Sequence, residues 1–291
     1  MKTSVSHLSI IVLIFLAAFS IASAWTTPVL LSGVNSQYPE LWPTISNDGL
    51  TLYFTRGNTP SHSWNQIYQA TRTTQSDLFS NVTRVSSLSY SGHVNNPWVS
   101  QDNLHIYYTR SGDITESTRG TTSSSWGTAT YLNELNTLGD IDGPKLSADE
   151  LSIVFTLMPS STTRVMYTAS RSNINTLFTN IRVLSELNTS APIVSCLSDN
   201  GLTLYFDRID NGIRRTYESV RPSITGTFGT PQLLNYWPDN YRLNSFSSDG
   251  QTAYLYRYDN PDWNIYVSQI PEPATMALLA LGALILRRRM R

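Results

Sequence analysis

Ser46-Asn-Asp-Gly-Leu-Thr-Leu-Tyr-Phe-Thr-Arg56 is a phrase that this chain repeats. It returns as Ser100-Gln-Asp-Asn-Leu-His-Ile-Tyr-Tyr-Thr-Arg110, Ser147-Ala-Asp-Glu-Leu-Ser-Ile-Val-Phe-Thr-Leu157, Ser198-Asp-Asn-Gly-Leu-Thr-Leu-Tyr-Phe-Asp-Arg208 and Ser247-Ser-Asp-Gly-Gln-Thr-Ala-Tyr-Leu-Tyr-Arg257. The turn positions Gly49, Asn103, Glu150, Gly201 and Gly250 follow one another after 54, 47, 51 and 49 residues. A period of that length marks one supersecondary unit copied along the chain, because a single copy cannot bury its apolar face alone.

Each copy reads as four strands. An inner strand leads in from a proline three residues before the serine (Pro43, Pro97, Pro144), with Pro192 displaced and Asn244 substituting in the last two copies. Asp-Gly, or Asn103, Glu150 and Asn200 in its place, makes a tight hairpin whose Ser and Asp side chains bond nearby backbone amides. The strand that follows, such as Leu52-Tyr53-Phe54, is continuously apolar, which implies burial on both faces. A third strand ends in Arg72, Arg119, Arg171 and Arg221, and a fourth begins near Leu78, Trp126, Leu177 and Phe228. The fifth copy runs from Ile270 into Pro271 without a fourth strand, and Trp25-Thr-Thr-Pro-Val-Leu-Leu31 carries the missing pattern. The prediction is all-β: a five-bladed β-propeller of four-stranded blades over residues 25–270, its ring closed by the N-terminal strand.

On these residues the phrase Ser-x-Asp-Gly-x-x-Leu-Tyr-Phe, followed by Ile-Tyr-x-x-x-Arg, resembles the WD40-like propeller repeats of the Tol system's periplasmic propeller. The resemblance covers nearly all of residues 25–270 and implies fold and binding rather than any shared catalytic residue.

The two ends read as addresses. Residues 1–24 have Lys2, an apolar run from Leu8 to Ile21 broken only by Ser9 and Ser20, and then Ala22-Ser23-Ala24. That layout is a secretory signal peptide, which implies signal peptidase and an export machinery as partners. At the other end, Pro271-Glu272-Pro273 is followed by apolar residues from Met276 to Leu286 and by Arg287-Arg288-Arg289-Met290-Arg291. The apolar run is short for a bilayer span, and the arginines place it as a hydrophobic helix stopped with its tail inside. Pro-Glu-Pro, apolar segment and basic tail resemble the PEP-CTERM sorting signal of Gram-negative bacteria. That resemblance implies an exosortase-type enzyme as partner, transient membrane anchoring through residues 271–291, and delivery to the cell surface or extracellular matrix.

The 291 residues carry a net charge of −1, and the middle is acidic once Lys2 and the C-terminal arginines are set aside. A basic footprint for nucleic acid is absent. The lone Cys196 lies in an apolar stretch, Ile193-Val194-Ser195-Cys196-Leu197, where a packed thiol is expected rather than a nucleophile. His62, His93 and His105 lack metal-ligand spacing, the turn aspartates lack clustered calcium ligands, and no cofactor motif is found.

A residue common to all copies serves the blade, so a site on a pseudo-symmetric ring should lie where the copies differ. Leading into the inner strands, at the expected channel mouth, those positions include Glu40, Trp42, Asn96, Asp140, Asp142 and Arg242. They are the expected ligand-binding residues of a non-catalytic binding or scaffold module, with extracellular polysaccharide or an envelope protein as ligand. Two alternatives stand beside it. One is a surface glycoside-active enzyme using a pair of these carboxylates as acid and base or nucleophile; the other is an envelope-assembly partner protein.

Overall fold

All five phrases fold as the same hairpin, whether or not they contain Asp-Gly. The serine hydroxyl donates to the side chain two residues on (Asp48, Asp102, Asp149, Asn200, Asp249; 2.5–2.8 Å). The same hydroxyl accepts the amide N–H of Thr51, His105, Ser152, Thr203 or Thr252 at 2.8–3.0 Å. The Asp or Asn oxygen accepts the amide of the residue two further on, at 2.9–3.0 Å. These bonds fix the turn without help from glycine. Asn103 and Glu150 accordingly enter the left-handed region at φ +58° beside Gly49, Gly201 and Gly250 at +68° to +72°, a conformation asparagine tolerates and glutamate disfavours.

The computed structural model describes residues 25–57 and 65–270. Residues 1–24, read as a signal peptide, the sorting residues Pro271, Glu272 and Pro273 with the apolar run and basic tail that follow, and His62 lie outside the described residues. Residues Thr27–Ser268 form one unit of five antiparallel four-stranded sheets. The first blade is β2 (Glu40–Ile45), β3 (Thr51–Arg56), β4 (Gln66–Thr71) and β5 (Ser80–Arg84). The second is β6 (Val94–Val99), β7 (His105–Arg110), β8 (Asp113–Thr118) and β9 (Thr130–Tyr131). The third is β10 (Ile141–Leu146), β11 (Ser152–Leu157), β12 (Val165–Ser170) and β13 (Thr179–Val183), and the fourth β14 (Ile193–Leu197), β15 (Thr203–Asp210), β16 (Ile213–Val220) and β17 (Gln232–Leu233). The fifth joins β18 (Arg242–Phe246), β19 (Thr252–Tyr258) and β20 (Trp263–Gln269) to β1 (Val29–Leu30). Val29 pairs with Val267 and Leu30 with Tyr266, so the N-terminal strand closes the ring. In the other unit, the Thr26 amide donates to the Gln269 carbonyl at 2.8 Å.

Two details differ from the sequence reading. The prolines do not lead into the inner strands but sit within them: Trp42, Asn96 and Gly143 take φ of +52°, +53° and +65°, and the proline after each completes a β-bulge. Each of these inner strands is the edge of its sheet, and the bulge lacks one ladder bond, so the missing proline N–H costs no pairing there. The fourth strands are also shorter than expected. In the second and fourth blades only Thr130–Tyr131 and Gln232–Leu233 pair, while the residues before them turn Trp126 and Phe228 inward to be buried.

The core lies between blades. Every residue of β11 is buried, and Phe54, Phe155 and Phe206 are fully enclosed, each contributing about 2–3 kcal/mol of apolar transfer energy. The third-strand arginines latch neighbouring blades, chiefly by hydrogen bonds. Nε of Arg72, Arg119, Arg171 and Arg221 donates to the turn carbonyls of Gly49, Asn103, Glu150 and Gly201 at 2.7–2.9 Å. The second nitrogen of Arg119 and of Arg171 reaches a tyrosine hydroxyl of the preceding blade, Tyr53 at 3.3 Å and Tyr107 at 2.9 Å. Arg221 reaches Ser152 at 2.9 Å. Each guanidinium also stacks on an aromatic ring of its own blade, Phe79, Trp126, Phe178 or Phe228, at 4.1–4.8 Å.

Deleting residues 27–31 exposes the edge of β20. The expected outcome is a Tm lowered by several degrees and self-association through that edge, read by thermal denaturation and by light scattering on a sizing column. An unchanged Tm with a monomeric elution would contradict closure by β1.

Candidate functional site

At one end of the inner strands the copies diverge. The inner-strand residues paired with the tenth residue of the repeated phrase are Leu41 with Thr55, Asn95 with Thr109, Asp142 with Thr156, Ile193 with Asp207, and Arg242 with Tyr256. In three blades the threonine hydroxyl accepts an inner-strand amide of the next blade: Asn96 to Thr55 at 3.1 Å, Gly143 to Thr109 at 3.2 Å and Val194 to Thr156 at 3.0 Å. Asp207 and Tyr256 replace that threonine in the remaining two.

Between the second and third blades this mouth opens as a cleft of about 730 Å³, whose lining includes His93, Asn95, Asp113, Asp140, Asp142 and Met158. Asn96 donates to the Asp142 carboxylate at 2.6 Å, and Thr109 also bonds it. Burial nevertheless wins, pushing the Asp142 pKa above the ordinary carboxylate value despite these bonds and Lys145. Lys145 is 1% exposed, its Nζ without a hydrogen-bond partner among the described residues. Burial brings its pKa down to about 8 and pushes the Cys196 thiol up to about 12, so Cys196 is not a thiolate at neutral pH.

A second group spans the fourth, fifth and first blades. The Asp207 carboxylate accepts the Thr216 hydroxyl at 2.7 Å. Burial pushes its pKa up, opposed by Arg242, Thr216, Arg214 and Ser195. Arg242 hydrogen-bonds the Tyr256 hydroxyl and lies 4.5 Å from the Trp263 ring centroid. Around it run Trp42 against Tyr256 (6.2 Å), Tyr256 against Trp263 (5.6 Å) and Trp263 against Tyr258 (5.5 Å).

The structure therefore divides the residues expected at the mouth. Asp140 and Asp142 line one cleft, with Asn96 buried behind it and bonded to Asp142, and Trp42 and Arg242 meet at Tyr256. Glu40 stands apart, fully buried, its Oε1 bound by Arg56 at 2.8 Å and Ser36 at 2.5 Å. Sequence reasoning passed over Asp207, Tyr256, Lys145 and Arg214. The signal for the first two was present in the repeat itself, whose tenth residue reads Thr, Thr, Thr, Asp, Tyr.

Residues 269–291 match the PEP-CTERM protein-sorting motif. The chain carries an exosortase sorting signal. Such a signal implies export and sorting to the surface of a Gram-negative cell, with processing by an exosortase. Among proteins of curated function none matches. The PEP-CTERM chain is similar in fold to an α-L-arabinofuranosidase from Podospora anserina, with TM-score 0.61 and 12% identity over 87% of this chain and 98% of that one. The catalytic domain of a Coprinopsis cinerea α-L-arabinofuranosidase gives 0.59 at 12% identity, over 85% and 97%. TolB from Acinetobacter baumannii gives 0.48 at 16% identity, over 82% and 56%. At such identities these likenesses are of fold. No helix among the described residues is long and apolar enough to cross a membrane.

The raised pKa of Asp142 has a signed consequence. A carboxyl held above its unfolded value binds its proton more tightly in the native state, so its contribution is full below about pH 4 and declines as pH rises through the folded value. Asp142→Asn keeps the oxygen that accepts from Asn96. The variant is expected to be more stable than the parent at pH 7 and to lose that advantage towards pH 4, by thermal denaturation across the range. A difference that does not vary with pH would show that Asp142 ionises without penalty.

Proposed function

We propose that this exosortase-sorted surface propeller is a non-catalytic binding module whose mouth holds an extracellular polysaccharide through Trp42, Asn96, Asp140, Asp142 and Arg242. The observation carrying this reading is the concentration of side chains that the repeat does not require at one end of the inner strands. Asp142 and Asp207 sit there despite desolvation, and Asp207 and Tyr256 replace a threonine that ties neighbouring blades. Aromatic faces beside a few convergent charged and amide groups suit a ligand that is apolar on its ring faces and polar at its rim.

Cleavage of glycosides is the second reading. It is favoured by the fold shared with arabinofuranosidases and by Asp113, Asp140 and Asp142 in one cleft, where a proton-holding Asp142 would suit a general acid. Glu40 does not enter it, being tied to Arg56.

The two readings separate in one experiment. Retention of the full chain on acidic and neutral polysaccharides is measured by affinity electrophoresis, and sugar release from the same polymers is assayed in parallel. Binding that falls about tenfold or more in Trp42→Ala and Arg242→Ala, without sugar release, supports the binding module. Sugar release abolished by Asp142→Asn overturns it in favour of the enzyme; no retention on any polymer, with capture of an envelope protein instead, overturns the choice of ligand.

A further inference from the structure

The seam between the second and third blades carries a feature that the other seams do not, at the end of the ring remote from the cleft. His105, at the start of β7, directs Nδ1 to Glu116 Oε1 on β8 at 2.7 Å and to Glu150 Oε2 in the third hairpin at 3.6 Å. One ligand atom from each of the three lies within 4.8 Å of the others. An imidazole nitrogen and two carboxylate oxygens form a mixed donor set suited to zinc, with Zn–N and Zn–O distances near 2.0–2.2 Å.

The remaining copies show that the fold does not demand this set. The positions of His105 hold Thr51, Ser152, Thr203 and Thr252. Those of Glu116, defined by pairing with the second strand, hold Gln69, Thr168 and Glu218 in the first, third and fourth blades. The position of Glu150 holds glycine or asparagine in every other hairpin. Among the described residues three such donors coincide only at this seam, and one occupies a left-handed backbone position where the repeat otherwise uses residues that tolerate it.

The surroundings are compatible with an ion. Tyr107 donates to Glu150 Oε2 at 2.7 Å. The Arg171 guanidinium forms a long ion pair with that oxygen at 3.7 Å, while its hydrogen bonds go to the Glu150 carbonyl and the Tyr107 hydroxyl. His105 and Glu116 are 23% and 19% exposed at their side chains, which leaves an entry path and room for water as a fourth ligand.

We propose that His105, Glu116 and Glu150 bind a divalent transition cation of the zinc type, which pins the second blade to the third. Protons compete with a cation for imidazole and carboxylate ligands, so zinc binding releases protons and weakens as the solution is acidified.

The test uses the untagged full chain, freed of metal with a chelator, titrated with zinc chloride by calorimetry in two buffers of different ionisation enthalpy and followed by thermal denaturation. The expected result is one zinc per chain, a buffer-dependent heat that reports proton release, and a Tm raised by a few degrees at saturation, while calcium chloride gives neither. Glu116→Gln should weaken zinc binding by about tenfold or more while keeping the metal-free Tm within a few degrees of the parent. Glu150→Gly, which restores the residue of the fourth and fifth hairpins, should lose binding and keep the fold. Absence of zinc binding at millimolar concentration, or binding undiminished in both variants, would overturn the assignment.

Discussion

A blade of this protein cannot exist alone. Its second strand is apolar on both faces, so each sheet is soluble only when a neighbour covers either side, and five such sheets satisfy one another by closing into a ring. The other features follow from that need. The Ser-Asp hairpin holds strands in register so that both faces stay complementary, and the arginine at the end of the third strand extends its two nitrogens to its own turn and to the blade before it. Closure through Val29 and Leu30 supplies the last pairing, which the fifth copy lacks.

The parts of the fold set by local chemistry could be read from the sequence. A serine and an aspartate two residues apart, before an apolar run, define the turn whichever residue follows, and even Glu150 is drawn into the left-handed conformation by the same three bonds. The bulges were hidden because a proline announces a break in a strand without saying whether it precedes or interrupts it. The outer strands were overestimated because Trp126 and Phe228, whose aromatic character suggested a strand, act as wedges against the arginine latches. Arg119 and Arg221 stack on those rings seven residues further on, as Arg72 and Arg171 do on Phe79 and Phe178, a recurring spacing that the strand reading left unused.

For the site, the position was legible and the membership was not. Looking where the copies differ led to Asp142, Asn96, Trp42 and Arg242, which the structure sets in two neighbouring groups. Glu40 shares that end of its strand, yet the chain before it supplies Ser36 and the strand beside it Arg56, which together enclose its carboxylate. Asp207 lay inside the repeated phrase, among residues assigned to the blade, and only the hydrogen bonds made by its threonine counterparts show what was given up there. Burial of Asp142, Lys145 and Asp207 disfavours their charged forms, a cost that the blade repeat does not require, since the other copies do without these residues.

The pairing of β20 has a mechanical side. The segment bearing the sorting signal leaves the ring from a strand flanked by β19 on one side and β1 on the other. A pull transmitted through that segment therefore loads two ladders in parallel, whereas a pull on an outermost strand would peel one ladder bond after another. A strand bonded on both sides, as β20 is, yields only when two ladders fail together, and the two residues of β1 are what give it the second grip.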